Sequence, residues 1–141
     1  MTSYLDRFVE AQDGIFEEAI DEIIAGKKRT HWMWFVFPQL RGLGQSDNSM
    51  YYGLRNREDA MSYLAHPVLG PRIQQATRCV LDANTPTKKI FGEVDYKKFV
   101  SCMTLFSFAS PPGSIFCFAL STLSTSDERT AQILGEANDT F

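Results

Sequence analysis

Residues 31–46 place an imidazole (His31), two indoles (Trp32 and Trp34), an amide (Gln39), a guanidinium (Arg41), two glycines (Gly42 and Gly44) and a hydroxyl (Ser46) in one short run. Indole faces stack on flat rings, a guanidinium grips carboxylate or phosphate with two parallel hydrogen bonds, and glycines let backbone amides approach an anion. His31 and His66 are the candidates for proton transfer, since imidazole alone titrates near neutrality without perturbation. Lys97 is a further candidate, either holding an anionic ligand or, if desolvated, acting as a base. Together these residues suit a small, planar, anionic metabolite of nucleotide-like character, bound or hydrolysed without a cofactor around residues 39–46.

Each group also has a purely structural reading. An aromatic run in a small helical domain serves as core, and the glycines serve a left-handed turn. Residues 42–44 lack the GxxxxGK[ST] or strand-bound GxGxxG context of a nucleotide loop. Arg41 is equally suited to cap a helix carboxyl end or to form an ion pair. His66 precedes Pro67, which places its imidazole to cap the next helix, and Asp95 reads as an N-cap that leaves Lys97 solvated. With only two histidines and no HExxH spacing, no metal site is expected. Cys79, Cys102 and Cys117 sit among apolar helical positions, where thiols pack as inert groups. The competing class of function is a helical interaction module without catalysis, motivated by 11 phenylalanines in 141 residues. The sequence leaves self-association open.

The elements that must position these residues read as helices. Ser3 and Asp6 start a first helix, interrupted at Asp13-Gly14, and Phe16, Ala19, Ile20, Ile23 and Ile24 resume the period until Gly26. Lys27, Lys28 and Arg29 then complement the macrodipole as a solvated cap, with contact to an anion as the alternative. Residues 30–38 are apolar without a break; a short buried helix is expected, because no alternating strand exists to pair with them. Residues 39–48 read as a polar loop. Asn56 caps a helix that His66-Pro67 stops, and a further helix from about Leu69 to Ala83 tolerates Pro71 in its first turn. Residues 84–89 read as a linker, Asp95 as the cap of a helix to about Phe108, and Ser114 to Leu123 as another. A last helix begins at Ser126 and ends on Gly135, with residues 136–141 frayed. Trp34, Phe35, Phe37, Ile73, Met103 and Phe106 are expected to share one core.

The fold class is therefore all-α: one domain over residues 1–141 with about six to eight helices, several short. A 44% apolar share supplies a core without disulfides or metal, which excludes a disordered chain. A net charge of −3 argues against nucleic acid as a partner. The longest apolar run, residues 32–38, is far below the roughly 20 residues that span a bilayer, so no membrane association is expected. The acids in residues 1–10 are unlike a signal peptide, and the three cysteines lack CxxC spacing; both predict a cytoplasmic location.

Residues 31–46 (HWMWFVFPQLRGLGQS), 63–72 (YLAHPVLGPR), 90–92 (IFG) and 97–106 (KKFVSCMTLF) resemble the domain of unknown function 1810 family. The resemblance spans roughly residues 3–135 and implies a mainly α-helical fold without an established activity. Members of that family have carried the label calpastatin, yet a calpain inhibitor of that name is a long disordered chain, whereas this one is short and aromatic. Cys102 stands where the family has serine.

Overall fold

The computed structural model describes residues 3–138, with side chains to residue 135. Its helices are α1 (Asp6–Gln12), α2 (Phe16–Ile24), α3 (Met33–Val36), α4 (Asp47–Tyr51), α5 (Arg57–Ala65), α6 (Leu69–Asp82), α7 (Thr87–Phe108), α8 (Ile115–Leu123) and α9 (Glu128–Asn138). No strand occurs among the described residues; a lone bridge joins Leu40 to Leu54 in parallel. The all-α expectation holds, and α4, inside the stretch read as loop, takes the helices of the described residues one beyond the expected six to eight.

The helix limits follow local chemistry. Leu5 N donates to Ser3 Oγ and Ser3 N to Asp6 Oδ2, a reciprocal pair that starts α1. Gly14, at φ 73°, turns the chain between α1 and α2. Asn56 caps α5 through the amide of Asp59, and Ser114 caps α8 through that of Cys117. Pro71 lies in the first turn of α6, where its missing N–H costs nothing.

Four boundaries differ from the sequence reading. Ser46 caps a helix, α4, inside the stretch read as loop. Helix α7 starts at Thr87 within the expected linker, because Gly92 takes φ 79° and ψ 167° and joins two helical stretches across a kink. Asp95 therefore lies inside α7 and caps nothing. Asp127 rather than Ser126 receives the Thr130 amide at the start of α9, and Gly135 lies within that helix rather than ending it. Of the residues expected to fray, 136–138 continue α9 and 139–141 lie outside the described residues.

Helix α7 packs against α5, α8 and α9, while α6 packs against α2, α5 and α8. Their shared interior is an aromatic lattice. Phe8 meets Tyr63 at 5.3 Å, Tyr63 meets Phe106 at 5.4 Å and Phe106 meets Phe116 at 5.4 Å between ring centroids. A second group joins Phe37 to Phe99 at 5.1 Å and Phe91 to Phe99 at 5.0 Å, with Trp32 tilted against Phe37 and edge-on to Phe91. Such offset and edge contacts add to the burial of large rings. Buried Gln12 donates to Phe35 O at 2.7 Å and to the Tyr63 hydroxyl at 3.1 Å, so the polar group costs no unmet hydrogen bond.

Four of the six expected core residues, Phe37, Ile73, Met103 and Phe106, are buried together. Phe35 is half-buried against that core, and Trp34 turns outward. Among the described phenylalanines only Phe118 is exposed, and the other exposed large apolar groups lie singly on α2, α5, α7 and α9, with Met50 and Tyr51 together on α4. Scattered exposure of this kind is ordinary, and the aromatic surplus that motivated an interaction module is absorbed by the core. No described helix is long and apolar enough to cross a membrane.

Candidate functional site

Leu40 and Leu54 pin the base of the loop: Arg41 N donates to Leu54 O at 2.7 Å and Leu54 N to Gln39 O at 2.9 Å. The loop so closed carries α4 and lies over the side of α7 that bears Lys98. Between them is a cleft of about 150 Å³ lined by Trp34, Gln39, Leu40, Leu43, Gly44, Ser49, Tyr52, Gly53 and Lys98. Gly53 is buried where the chain folds back on itself; a Cβ there would come within 2.6 Å of Ser49 O and 2.7 Å of Arg41 Cβ. Only glycine allows this approach.

The structure brings Trp34, Gln39 and Gly44 together and disperses the other expected residues. Trp32 is fully buried, and its indole N–H donates to Glu22 Oε1 at 3.1 Å. It has no face left for a ligand. Arg41 turns away from the cleft, donating from Nε to Met50 O at 3.0 Å and from Nη2 to the Tyr4 hydroxyl at 2.8 Å. Met50 O lies in the last turn of α4, so the guanidinium serves as a carboxyl-end cap, the structural role that the sequence allowed. Gly42, at φ 104°, makes the exposed turn after Arg41, and Ser46 is spent on the α4 cap. His31 is exposed and outside the cleft lining. His66 Nδ1 accepts from Val68 N at 3.1 Å and Leu69 N at 3.2 Å, which makes it the cap of α6. Lys97 lines a different cavity, which Glu93, Tyr96 and Asp127 share with it.

Lys98 is the lysine that sequence reasoning missed. Its Nζ lies 3.9 Å from the centroid of the Trp34 ring and 3.3 Å from Asp95 Oδ1. Lys28 Nζ holds the other oxygen of that carboxylate, Oδ2, at 2.9 Å and lies 5.2 Å from the Trp32 ring. Lys27 and Arg29 remain exposed as expected, but the Lys28 side chain is 9% exposed and belongs to this network. Two ammonium groups thus share one carboxylate, which leaves positive charge in surplus beside the cleft. Burial, aided by Tyr51, pushes the Tyr52 phenol above its ordinary range and keeps it a neutral hydrogen-bonding group. The spacing that could have revealed Lys98 is Asp95–Lys98, an i,i+3 pair on one helical face.

Among the described residues the cleft lining contains no carboxylate, imidazole or thiol. Burial pushes the Cys102 thiol well above its usual range, and burial followed by the nearby Asp82 carboxylate raises that of Cys79, so neither is an activated nucleophile. The arrangement sets an ammonium against an indole face in an open cleft.

The family model described as "Protein of unknown function (DUF1810)" matches residues 2–134. Among solved structures, the crystal structure of the conserved hypothetical protein Rv1873 from Mycobacterium tuberculosis is similar, with 42% sequence identity and a TM-score of 0.89. The similarity covers 93% of this chain and 96% of that one. No curated protein matches.

Proposed function

This chain belongs to the DUF1810 family, whose description carries no activity, and from its own geometry we propose that it binds a small planar anion in the cleft between residues 39–53 and α7. One observation carries the reading: among the described residues the only charged group lining the cleft is Lys98, which shares its carboxylate with Lys28 and lies against the half-buried Trp34 ring. A carboxylate or phosphate would meet the ammonium, and the ring beside it would meet Trp34, Leu40 and Leu43. Gln39 and Ser49 supply the neutral hydrogen bonds that orient such a ligand. At about 150 Å³ the cleft encloses one ring with its acid group, so the base and sugar of a nucleotide-sized ligand would extend into solvent. Binding is favoured over hydrolysis because the two histidines lie elsewhere and, among the described residues, the lining adds no carboxylate or imidazole to Lys98 and Tyr52.

Trp34 is the more accessible of the two indoles, so its fluorescence reports occupancy. Nicotinate, salicylate and AMP are titrated into the protein and into Lys98→Met, with uncharged nicotinamide as the control. A saturable response to at least one of the three anions is expected, weakened tenfold or more in the variant, about 1.4 kcal/mol. Failure of all three to bind, or equal binding by Lys98→Met, refutes the reading.

A further inference from the structure

On a straight helix, Lys88 and Lys97 would face opposite ways: nine steps of about 100° make two and a half turns and about 13.5 Å of rise. Gly92 prevents this. Its φ of 79° and ψ of 167° break α7 between the two lysines, and nothing lies within 4 Å of the position a Cβ would take. The glycine is thus required for chain direction rather than for packing space. As a result both lysines line one cavity of about 370 Å³, with Glu93, Tyr96 and Val100 from α7 and Thr125, Ser126 and Asp127 from the segment leading into α9.

The charges and hydroxyls of this cavity are unevenly committed. Among the described residues neither Lys88 nor Lys97 is paired with a carboxylate. Lys88 Nζ lies 5.2 Å from the Tyr96 ring. Of the two carboxylates in the wall, Asp127 already accepts from Thr130 N at 2.9 Å and from the Thr130 hydroxyl, which leaves Glu93 as the uncommitted acid. Lys97 and Lys98 are neighbours about 100° apart around α7, and the linings of the two cavities share no residue.

We propose that this cavity is a second site, taking a phosphorylated sugar or comparable polyol phosphate. Its phosphate lies between the Lys88 and Lys97 ammonium groups, and its hydroxyls donate to Glu93 and exchange hydrogen bonds with Thr125 and Ser126. The volume, more than twice that of the first cleft, accommodates a pentose with its phosphate. Two exposed lysines supply charge without geometric constraint, so the neutral and acidic groups set the preference for a polyol over a bare anion.

The test is calorimetric titration of ribose 5-phosphate, ribose and inorganic phosphate into the wild type, a Lys88→Ala/Lys97→Ala double variant and the surface control Lys27→Ala. Expected are saturable binding of ribose 5-phosphate, a loss of tenfold or more in the double variant, no loss in Lys27→Ala, and weaker binding of the two fragments. Absence of ribose 5-phosphate binding to the wild type overturns the proposal, as does a double variant within twofold of wild type or an equal loss in Lys27→Ala. Inorganic phosphate binding as tightly as ribose 5-phosphate overturns its polyol part.

Discussion

Replacing Glu22 by glutamine should cost stability at neutral pH and nothing in strong acid. Its carboxylate accepts from Arg29 N at 2.5 Å, Thr30 N at 2.9 Å, Thr30 Oγ1 at 2.6 Å and Trp32 Nε1 at 3.1 Å. Burial alone would raise its pKa; the Thr30 hydroxyl, the two backbone amides and the indole outweigh burial and hold it at about 2, against 4.5 unperturbed. The folded value lies below the unfolded one, so the ionised group stabilises the fold above pH 4.5, and that contribution fades as pH falls through about 2. A shift of that size corresponds to about 3.4 kcal/mol if unscreened; the group is half-buried and in contact with solvent, which reduces the figure to about 1–2 kcal/mol. Urea melts of wild type and Glu22→Gln at pH 6, 4, 3 and 2 measure the difference directly. Glutamine keeps the shape and removes the charge, so the difference should be about 1–2 kcal/mol at pH 6 and shrink towards zero by pH 2. A difference that is absent at pH 6, or constant across the range, refutes the argument.

Phe106→Ala removes a fully buried ring in contact with Tyr63 and Phe116 and should cost about 3–5 kcal/mol in denaturant melts. Arg41→Ala should cost about 1–2 kcal/mol, because a carbonyl and a phenol rather than a carboxylate lose their partner, and anion affinity in the Lys98 cleft should fall by less than threefold.

Three helix starts were legible in the sequence, since Asn56, Ser114 and the Ser3/Asp6 pair act as their types suggest, whereas Asp95 and Ser126 do not start the helices their types suggest. Helix α4 was not legible, because Ser46, Asp47, Asn48 and Ser49 have the composition of a loop and only the Ser46 cap converts them into a turn of helix. Tyr52 and Gly53, which follow α4 into the cleft, were missed with it. The lining lysine left one sign in the sequence, the Asp95–Lys98 spacing, but adjacent lysines diverge by about 100°, and which one faces the loop depends on how α7 is rotated against its neighbours. Arg41 shows the complementary limit, since composition identified an anchored guanidinium but its direction is a matter of rotamer and of Tyr4, 37 positions away in the chain.

The two backbone hydrogen bonds that join Leu54 to Gln39 and Arg41 make residues 41–53 a loop closed at its neck. Such a loop can open as a unit at the loss of the Tyr52 ring contacts with Phe8 and Phe35, because few of its own residues are buried. Amide exchange in residues 41–53 should therefore run ahead of exchange in α7, through openings that cost much less than global unfolding. Occupation of the Lys98 cleft would close those openings, since a ligand held between this loop and α7 binds only the closed form. Slowed exchange confined to the loop would then locate a bound ligand.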